Sequence, residues 1–342
     1  ARVMAELTPR VLQLAQLARQ QRIGFTIDAE EADRLELSLD VVAGAYADAS
    51  LAGWEGYGLA VQAYQKRAPF VLDFLADLAR RHGRRMPVRL VKGAYWDSEV
   101  KRAQVDGVSG YPVFTRKPNT DVSYLACAKQ MLGATDAFYP MFATHNAQTI
   151  AAIHRMASTL LPPAGEGART ASTLLPQAGR GGALANHGSR AEERPSAKSE
   201  GGGAERGARR ADEGARADES RSPRSREQKA YEFQKLHGMG DDLYAEVIPA
   251  DRLNVPCRVY APVGSHEDLL PYLVRRLLEN GANSSFVNRI TDETVSIDDL
   301  IRDPVETVSA FDSIPHPRIP QPVALYRSFI ALDSSNDRDN SM

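Results

Sequence analysis

Basic residues beside a glycine form the first motif that could do chemistry, VRLVKGAYW at residues 88–96. Because side chains alternate along a strand, Arg89 lies on one face of the predicted strand and Lys92 on the other. Gly93 has no side chain, which lets the backbone come close to a ligand. Two cations beside a glycine suit an anionic or electron-rich cofactor, whereas a salt-bridged strand end is the structural alternative.

Two adjacent arginines, Arg275 and Arg276, lie in the motif RRLLENG on a long predicted helix. Both are one helical turn from Glu279, a spacing typical of weak surface ion pairs. Neighbouring side chains point about 100° apart around a helix, so the two arginines cannot serve one flat surface network equally. If this helix covers a pocket, the pair can instead hold a substrate carboxylate through bidentate hydrogen bonds.

A histidine and an acid complete the set of candidate groups. His145 lies in ATHNA without a second histidine or cysteine at metal-ligand spacing, so we expect it to bind a cofactor or the backbone and expect no metal site. Asp28 follows the apolar run IGFTI, where it can order a cationic substrate or pair with an arginine. We expect Cys127 and Cys257 to be small core residues in a reducing compartment.

Alternating hydrophobic periods predict how these groups are positioned. Six short apolar runs are separated by segments with helical periodicity, a pattern typical of βαβ units and a parallel sheet. Each run ends in polar or flexible residues: Asp28, Gln62, Arg89 with Lys92 and Gly93, Thr144 with His145, Gln234 with His237, and Tyr260. Because the carboxyl ends of all strands meet on one face of a (β/α)8 barrel, the pattern favours an α/β fold of TIM type. No G-x-G-x-x-G motif supports a dinucleotide-binding open sheet.

Composition excludes several classes of protein. The 342 residues include 42 Lys and Arg against 44 Asp and Glu, a balance that argues against a dedicated nucleic-acid-binding protein. Hydrophobic residues make up 43% and charged residues 25%, which excludes collagen-like and wholly disordered chains. No apolar run approaches the roughly 20 residues of a spanning helix, and the N-terminus does not read as a secretory signal. We therefore expect a cytoplasmic protein.

The segment 158–228 is set apart by its composition. Residues 157–230 contain no Phe, Tyr, Trp, Ile or Val, and ASTLLPPAGEGAR returns 14 residues later as ASTLLPQAGRGGA. Such a stretch cannot bury enough apolar surface to offset its ordering entropy, so we expect a disordered low-complexity insert. The predicted organisation is a barrel in two parts, 1–157 and 229–302, interrupted by this insert and followed by a Pro-rich linker and tail at 303–342.

Long motifs on both sides of the insert resemble the proline dehydrogenase domain of bacterial proline utilization A proteins. They include FTIDAEEADRLE, RLVKGAYWDSEVKRAQ, FATHNAQTIAAI, YEFQKLHGMGDDLY and CRVYAPVGSHEDLLPYLVRRLLENG. The resemblance implies an FAD-dependent (β/α)8 barrel that oxidises L-proline to Δ1-pyrroline-5-carboxylate. It also implies that electrons pass to a membrane quinone, with peripheral contact at the inner face of the cytoplasmic membrane.

The resemblance implies residue roles position by position. Asp28 and Arg89 match the family's active-site acid and the arginine near the flavin, while Arg275 and Arg276 match the pair that binds the proline carboxylate. The walls of the proline pocket are matched by Tyr95, Leu236 and Tyr260. The positions that match FAD contacts are Gln62, Val91, Lys92, Gly93, Ala94, Trp96, Thr115, Thr144, His145 and Gln234. The implied mechanism is hydride transfer from proline C5 to flavin N5.

The chain also departs from the family pattern. It begins in the helix before IGFTI, so we expect about six of the eight barrel strands, without the family's strand-borne lysine that helps to hold the proline carboxylate. The family's DNA-binding and aldehyde dehydrogenase modules are missing from this sequence too. Two alternatives to an active enzyme stay open: an inactive truncated fragment, and a binding module that uses arginines of the insert to contact nucleic acid or anionic lipid. The oligomeric state and the preference between proline and hydroxyproline are also open.

Overall fold

A computed structural model of the protein describes residues 2–161, 230–281, 292 and 294–325. Its strands form one parallel sheet in which each strand pairs with the next along the chain. They are β1 (Phe25–Ile27), β2 (Tyr57–Gln62), β3 (Met86–Val91), β4 (Phe138–Ala143), β5 (Glu232–Leu236) and β6 (Cys257–Tyr260). The prediction of an α/β fold with six parallel strands is confirmed.

Helices connect and flank the strands. They are α1 (Arg2–Gln20), α2 (Leu35–Tyr46), α3 (Ala68–Arg81), α4 (Trp96–Asp106), α5 (Lys117–Leu132), α6 (Ala147–Leu160), α7 (Asp241–Ala245), α8 (His266–Gly281), α9 (Ile297–Ile301) and α10 (Pro304–Ser309). Within the described residues, none of these helices is both long and apolar enough to cross a bilayer. Residues 162–228 of the predicted insert lie outside the described part of the chain.

Alternation along the strands divides the sheet into two faces. On β3, Val88 and Leu90 are fully buried in the core that the sheet shares with the flanking helices, whereas Arg89 between them is not part of that core. On β5, Phe233 lies in the same core and its neighbours Glu232 and Gln234 point to the other face. Since each buried aliphatic side chain contributes roughly 1.5–3 kcal/mol, burial of the apolar set fixes the polar set on the inner face.

Strands β3 and β4 end earlier than their sequence patterns predict. The ladder stops at Val91 and Ala143, so Lys92 and Thr144 begin loops at the carboxyl edge of the sheet. Helix α4 then starts at Trp96, although its sequence was not predicted to be helical. It is mostly polar, which hides its period, but acids in its first turn and the left-handed Gly107 after its end are ordinary helix-boundary signals.

A buried arginine ties together the amino-terminal side of the sheet. Arg84 precedes β3 and donates both terminal nitrogens to backbone carbonyls, those of Tyr46 and Leu51. Its Cζ lies 3.9 Å from the centroid of the Tyr46 ring, whose hydroxyl donates back to the Arg84 carbonyl at 2.8 Å. Because a helix end such as that of α2 presents free carbonyls and a partial negative charge, it favours a cation there. Arg84 is therefore a structural residue.

The segment after α8 differs from the linker predicted over 303–342. Its described residues, 303–325, include α10, which packs against α5, and the buried prolines Pro304 and Pro322. Proline frequency favours a linker because proline disfavours the interior of helices and strands, but it does not prevent the segment from packing.

We predict that Gly58→Ala destabilises the fold strongly. A Cβ atom at Gly58 of β2 would lie 1.7 Å from the backbone oxygen of Pro87 on β3, and two paired strands cannot separate without losing their ladder. The expected loss is about 3 kcal/mol or more of unfolding free energy, measured by urea denaturation.

Gly110→Ala is the matched control for that measurement. A Cβ there would meet only the side chain of Gln321, at 3.7 Å, so the expected change stays within about 0.5 kcal/mol. Equal effects of the two substitutions would contradict the described register.

Candidate active site

Arg89 stands at the centre of the inner face, close to the carboxyl ends of the strands. Its Nη2 pairs with the carboxylate of Asp28, which follows β1, and its Cζ lies 5.5 Å from the centroid of the Tyr260 ring on β6. Strands β1 and β6 are the two edges of the sheet, so a residue of β3 reaches both only because the sheet curls around its inner face. The structure thus brings together three of the predicted site residues.

Helix α8 lies over the same region. Burial lowers the pKa of Arg89, while the hydroxyl groups of Tyr260 and of Tyr272 on α8 act in the opposite direction. The guanidinium of Arg276, one turn after Tyr272, has its Cζ 5.2 Å from the centroid of that ring. The predicted covering helix is therefore close to Arg89. Arg275 lies beside Arg276 on this helix, and its side chain is outside the described part of the structure.

His145 is a neutral hydrogen-bond donor at the end of β4. Burial, followed by the positive charges of Arg276 and Lys235, lowers the pKa of this histidine to about 4. Its Nε2 accepts a hydrogen bond from the backbone N–H of Leu236 at 3.2 Å. A neutral imidazole whose Nε2 accepts carries its proton on Nδ1, so at neutral pH His145 offers an N–H to a neighbouring group.

Two buried glutamines line the inner face at the ends of β2 and β5. The Oε1 of Gln62 accepts from Gln65 at 2.8 Å, and the Nε2 of Gln234 donates to Glu232 at 2.9 Å. Among the described residues, no hydrogen bond uses the opposite amide atom, Nε2 of Gln62 or Oε1 of Gln234. The Nε2 of Gln62 is therefore available as a donor, and the Oε1 of Gln234 as an acceptor, to a ligand bound on the inner face of the sheet.

A buried charge network behind these residues was missed by sequence reasoning. Glu232 is 4% exposed and accepts a bidentate pair of hydrogen bonds from Arg258 on β6, at 2.8 and 3.0 Å. The hydroxyl of Tyr139 donates to the same carboxylate at 3.2 Å. The signal in the sequence is the spacing: Glu232 lies two residues before Gln234, and Arg258 lies two residues before Tyr260. Residues two apart on a strand share a face, so Glu232 and Arg258 are expected on the inner face. The network fixes the glutamate that holds Gln234.

The VKGAYW segment begins at the last residue of β3, and its residues contact both α5 and the ring of Tyr64. Lys92 pairs with Asp121 on α5, and the adjoining Val91 and Ala94 are half-buried. Gly93 has φ of +129°, and a Cβ atom there would lie 2.5 Å from the ring of Tyr64. The glycine is thus required by the packing of Tyr64 and by its own backbone, a reason different from the close ligand approach expected from sequence.

Three further predicted residues have their positions fixed by hydrogen bonds. The Tyr95 hydroxyl donates to Glu30 at 2.8 Å, which ties the start of α4 to the loop after β1. The indole N–H of Trp96 donates to the carbonyl of Phe114 at 2.8 Å. The hydroxyl oxygen of Thr115 accepts the backbone N–H of His316 at 3.0 Å. Trp96 and Thr115 therefore belong to one connected cluster beside β3.

Thr144 and Leu236 complete the set. The Thr144 hydroxyl is buried and accepts from the backbone N–H of Asn146 at 3.2 Å, so its own proton is still available to a partner. Leu236 is buried at the end of β5 and pairs in register with Tyr260 on β6. Leu236 therefore lies next to Tyr260, whose ring is the one that lies near Arg89.

The arrangement suits an electron-rich or anionic ligand. Arg89 uses Nη2 on Asp28, whereas its buried Nε has no hydrogen-bond partner among the described residues. The Nε of Arg84 is also unpartnered, but both terminal nitrogens of Arg84 are occupied by backbone carbonyls. Arg89 thus keeps a buried donor that no residue in the described part of the chain uses. In the described residues, no group of three or more His, Cys, Asp or Glu side chains could hold a metal ion.

Comparison with known proteins gives this site a family. The family model described as proline dehydrogenase matches residues 1–167 and 209–289. The chain is 48% identical over 336 residues to the bifunctional protein PutA of Klebsiella aerogenes, covering 96% of this chain and 21% of the relative. It is 46% identical over 349 residues to PutA of Escherichia coli, covering 99% and 21%. The chain thus spans about a fifth of the length of these relatives.

A solved structure agrees with the described fold. The crystal structure of Bradyrhizobium japonicum proline utilization A mutant D779W superposes with a TM-score of 0.72 at 45% identity, covering 94% of this chain and 26% of that one. The curled sheet is therefore part of a (β/α)8 barrel, as the strand ends predicted. With Arg89 at the mouth of such a barrel, α8 across it and the family model matching on both sides of the insert, the chain belongs to the proline dehydrogenase family.

Proposed function

We propose that the inner face and helix α8 bind FAD and L-proline, and that the protein oxidises L-proline to Δ1-pyrroline-5-carboxylate and delivers the electrons to a membrane quinone at the cytoplasmic face. Arg89 carries this proposal, because it is a half-buried cation at the strand ends whose Nη2 pairs with Asp28 and whose buried Nε has no partner among the described residues. Membership of the proline dehydrogenase family supports proline as the substrate class.

FAD would contact groups on the inner face, in the VKGAYW segment and before α5. The proposed contacts are Gln62, Val91, Lys92, Gly93, Ala94, Trp96, Thr115, Thr144, His145 and Gln234. When bound, FAD supplies the two-electron acceptor that amino-acid side chains lack. Arg89 supplies a fixed positive charge, and His145 supplies a neutral N–H donor. Because the fold positions both groups in advance, they would stabilise negative charge without reorganising.

Proline would be held through its carboxylate and enclosed at its ring. Arg275 and Arg276 are the proposed carboxylate ligands, since planar guanidinium groups match a carboxylate with paired hydrogen bonds. Tyr95, Leu236 and Tyr260 would enclose the apolar ring. Such a clamp orients C5 of proline toward the cofactor without taking part in the bond changes. Asp28 would act by fixing the Arg89 guanidinium.

A second candidate function has one observation in its favour. Among the described strands, β1 pairs only with β2, and β6 pairs only with β5. An open curl admits water at both edges, and exclusion of water is part of how such a site works. The second candidate is therefore a chain that binds FAD and does not turn over proline by itself.

We predict that Arg276→Ala raises the KM for L-proline by about 30-fold, equivalent to about 2 kcal/mol, with a smaller change in kcat. The reason is that the carboxylate is held equally before and during the reaction, so its loss weakens binding rather than the chemical step. The measurement is steady-state reduction of dichlorophenolindophenol by the purified chain with FAD and L-proline.

Arg302→Ala is the control, because Arg302 forms an exposed ion pair with Asp299 at 2.6 Å, on the segment after α8. An unchanged KM in Arg276→Ala would contradict the clamp. Bound FAD without turnover in the parent chain would favour the second candidate.

We predict that His145 makes the fold less stable in acid. The folded-state pKa of about 4 lies below the ordinary value of 6.5, so between these values the unfolded chain binds one proton more and stability falls as pH decreases. Between pH 7 and pH 5 the loss from this group is about 2 kcal/mol. His145→Gln keeps an acceptor for the Leu236 N–H and cannot titrate, so it should remove this part of the pH dependence.

Urea denaturation at the two pH values measures the difference. The exposed His266 at the start of α8 provides the matched variant, His266→Gln, which should retain the pH dependence of the parent chain. The same pH dependence in the parent chain and His145→Gln would show that His145 is not held neutral.

A further inference from the structure

The segment 311–322, which we call the strap, is fastened to the loop that precedes α5 and to the first turn of that helix. The guanidinium of Arg116 donates from Nε to the carbonyl of Pro315 at 3.1 Å. The amide of Asn119 donates to the carbonyl of Ile314 at 2.9 Å, and Asn119 is buried. Two side chains of one helix start thus bind two successive carbonyls of the strap.

Further contacts extend the attachment along the strap. The hydroxyl of Tyr111 donates to the carbonyl of Pro320 at 2.8 Å. The Cζ of Arg116 lies 4.2 Å from the centroid of the Phe311 ring, within the range of a cation–π contact. In the opposite direction, the backbone N–H of His316 in the strap donates to the hydroxyl oxygen of Thr115 at 3.0 Å.

The strap also supports a small apolar cluster next to β3. This cluster consists of Tyr64, Val100, Ala103, Tyr111 and Val113, and Ile319 of the strap packs against it. Tyr64 is the ring that fills the position of a Cβ atom at Gly93. A continuous line of contact therefore runs from Ile319 through Tyr64 to the backbone that follows β3.

Proline content explains how such a segment can serve as a strap. Its sequence FDSIPHPRIPQP contains four prolines, which restrict φ and lack backbone N–H donors, and the chain makes a turn in which the Ile319 N–H donates to the His316 carbonyl at 3.1 Å. A chain already restricted when undocked loses less conformational entropy on docking. The donors that bind the strap's carbonyls are supplied by Arg116, Asn119 and Tyr111.

We propose that the strap is a positioning element of the cofactor site, and that Arg116 and Asn119 act as positioning residues. They hold residues 111–119, which are the end of the loop before α5 and the first turn of that helix, so that Thr115 and the Phe114 carbonyl that binds the Trp96 indole stay fixed. None of them needs to touch the cofactor. The inference rests on the proposed FAD contacts of Gly93, Trp96 and Thr115.

The test combines two readouts on the purified chain with Asn119→Ala, Arg116→Ala and both together. Hydrogen exchange followed by mass spectrometry reports backbone opening of residues 107–119 without any cofactor. Titration with FAD reports its Kd. We expect exchange of this loop to be at least 10-fold faster in the double variant, with a Kd for FAD at least 10-fold higher.

Gln130→Ala is the matched control on the same helix. Its amide donates to the carbonyl of Pro69 at 3.1 Å and to Asp73 at 2.7 Å, away from the strap, so loop exchange and FAD affinity should be unchanged. Tyr111→Phe keeps the ring and removes the hydroxyl that donates to Pro320 of the strap and accepts from Gln104, so it is compared with Gln104→Ala, and it replaces the double variant if that variant does not fold.

Each outcome is decisive. Unchanged exchange would overturn the strap as a fastener, and faster exchange with unchanged FAD affinity would overturn its role for the cofactor. A parent chain that binds no FAD would refute the proposed function, and with it the cofactor part of this inference. Comparing hydrogen exchange of residues 107–119 in the parent chain and the variants would still test whether the strap holds this loop.

Discussion

The two-residue alternation of six parallel strands is the constraint on which the rest of the structure depends. Burying Val88, Leu90 and Phe233 against the helices leaves Arg89 and Gln234 no alternative to the inner face. Sequential pairing then lines up the carboxyl ends of the strands. The site residues are thus gathered by the energetics of the outer core, while their own hydrogen bonds refine the positions.

Two arginines near β3 illustrate how the fold separates structure from function. Arg84, before the strand, donates both terminal nitrogens to backbone carbonyls, those of Tyr46 and Leu51. Arg89, within the strand, has one anionic partner that is itself largely exposed. Both are desolvated, which is costly for a cation. Arg84 uses both terminal nitrogens on the backbone, whereas the Nε of Arg89 has no partner among the described residues, which is why we propose Arg89 and not Arg84 as a ligand contact.

The sequence was informative where the determinants are local. Hydrophobic periodicity predicts the strand ends and helix α8. The same periodicity and the resemblance of contiguous motifs predict the site residues Asp28, Arg89 and Tyr260. The pair Glu232 and Arg258 lies 26 residues apart on neighbouring strands, and its register emerges only once β5 and β6 are paired. The strap contacts span about 200 residues in sequence, and proline content alone could not show them. Long-range pairing was therefore what the sequence could not supply.

We propose that this curled sheet and its covering helix form a working flavin site. The most direct measurement is the visible absorption spectrum of the purified, FAD-loaded chain, recorded without oxygen before and after addition of L-proline. We expect a flavin band that bleaches on addition of L-proline and persists with D-proline at the same concentration. A chain that retains no flavin, or whose flavin band is unchanged by L-proline, would contradict it.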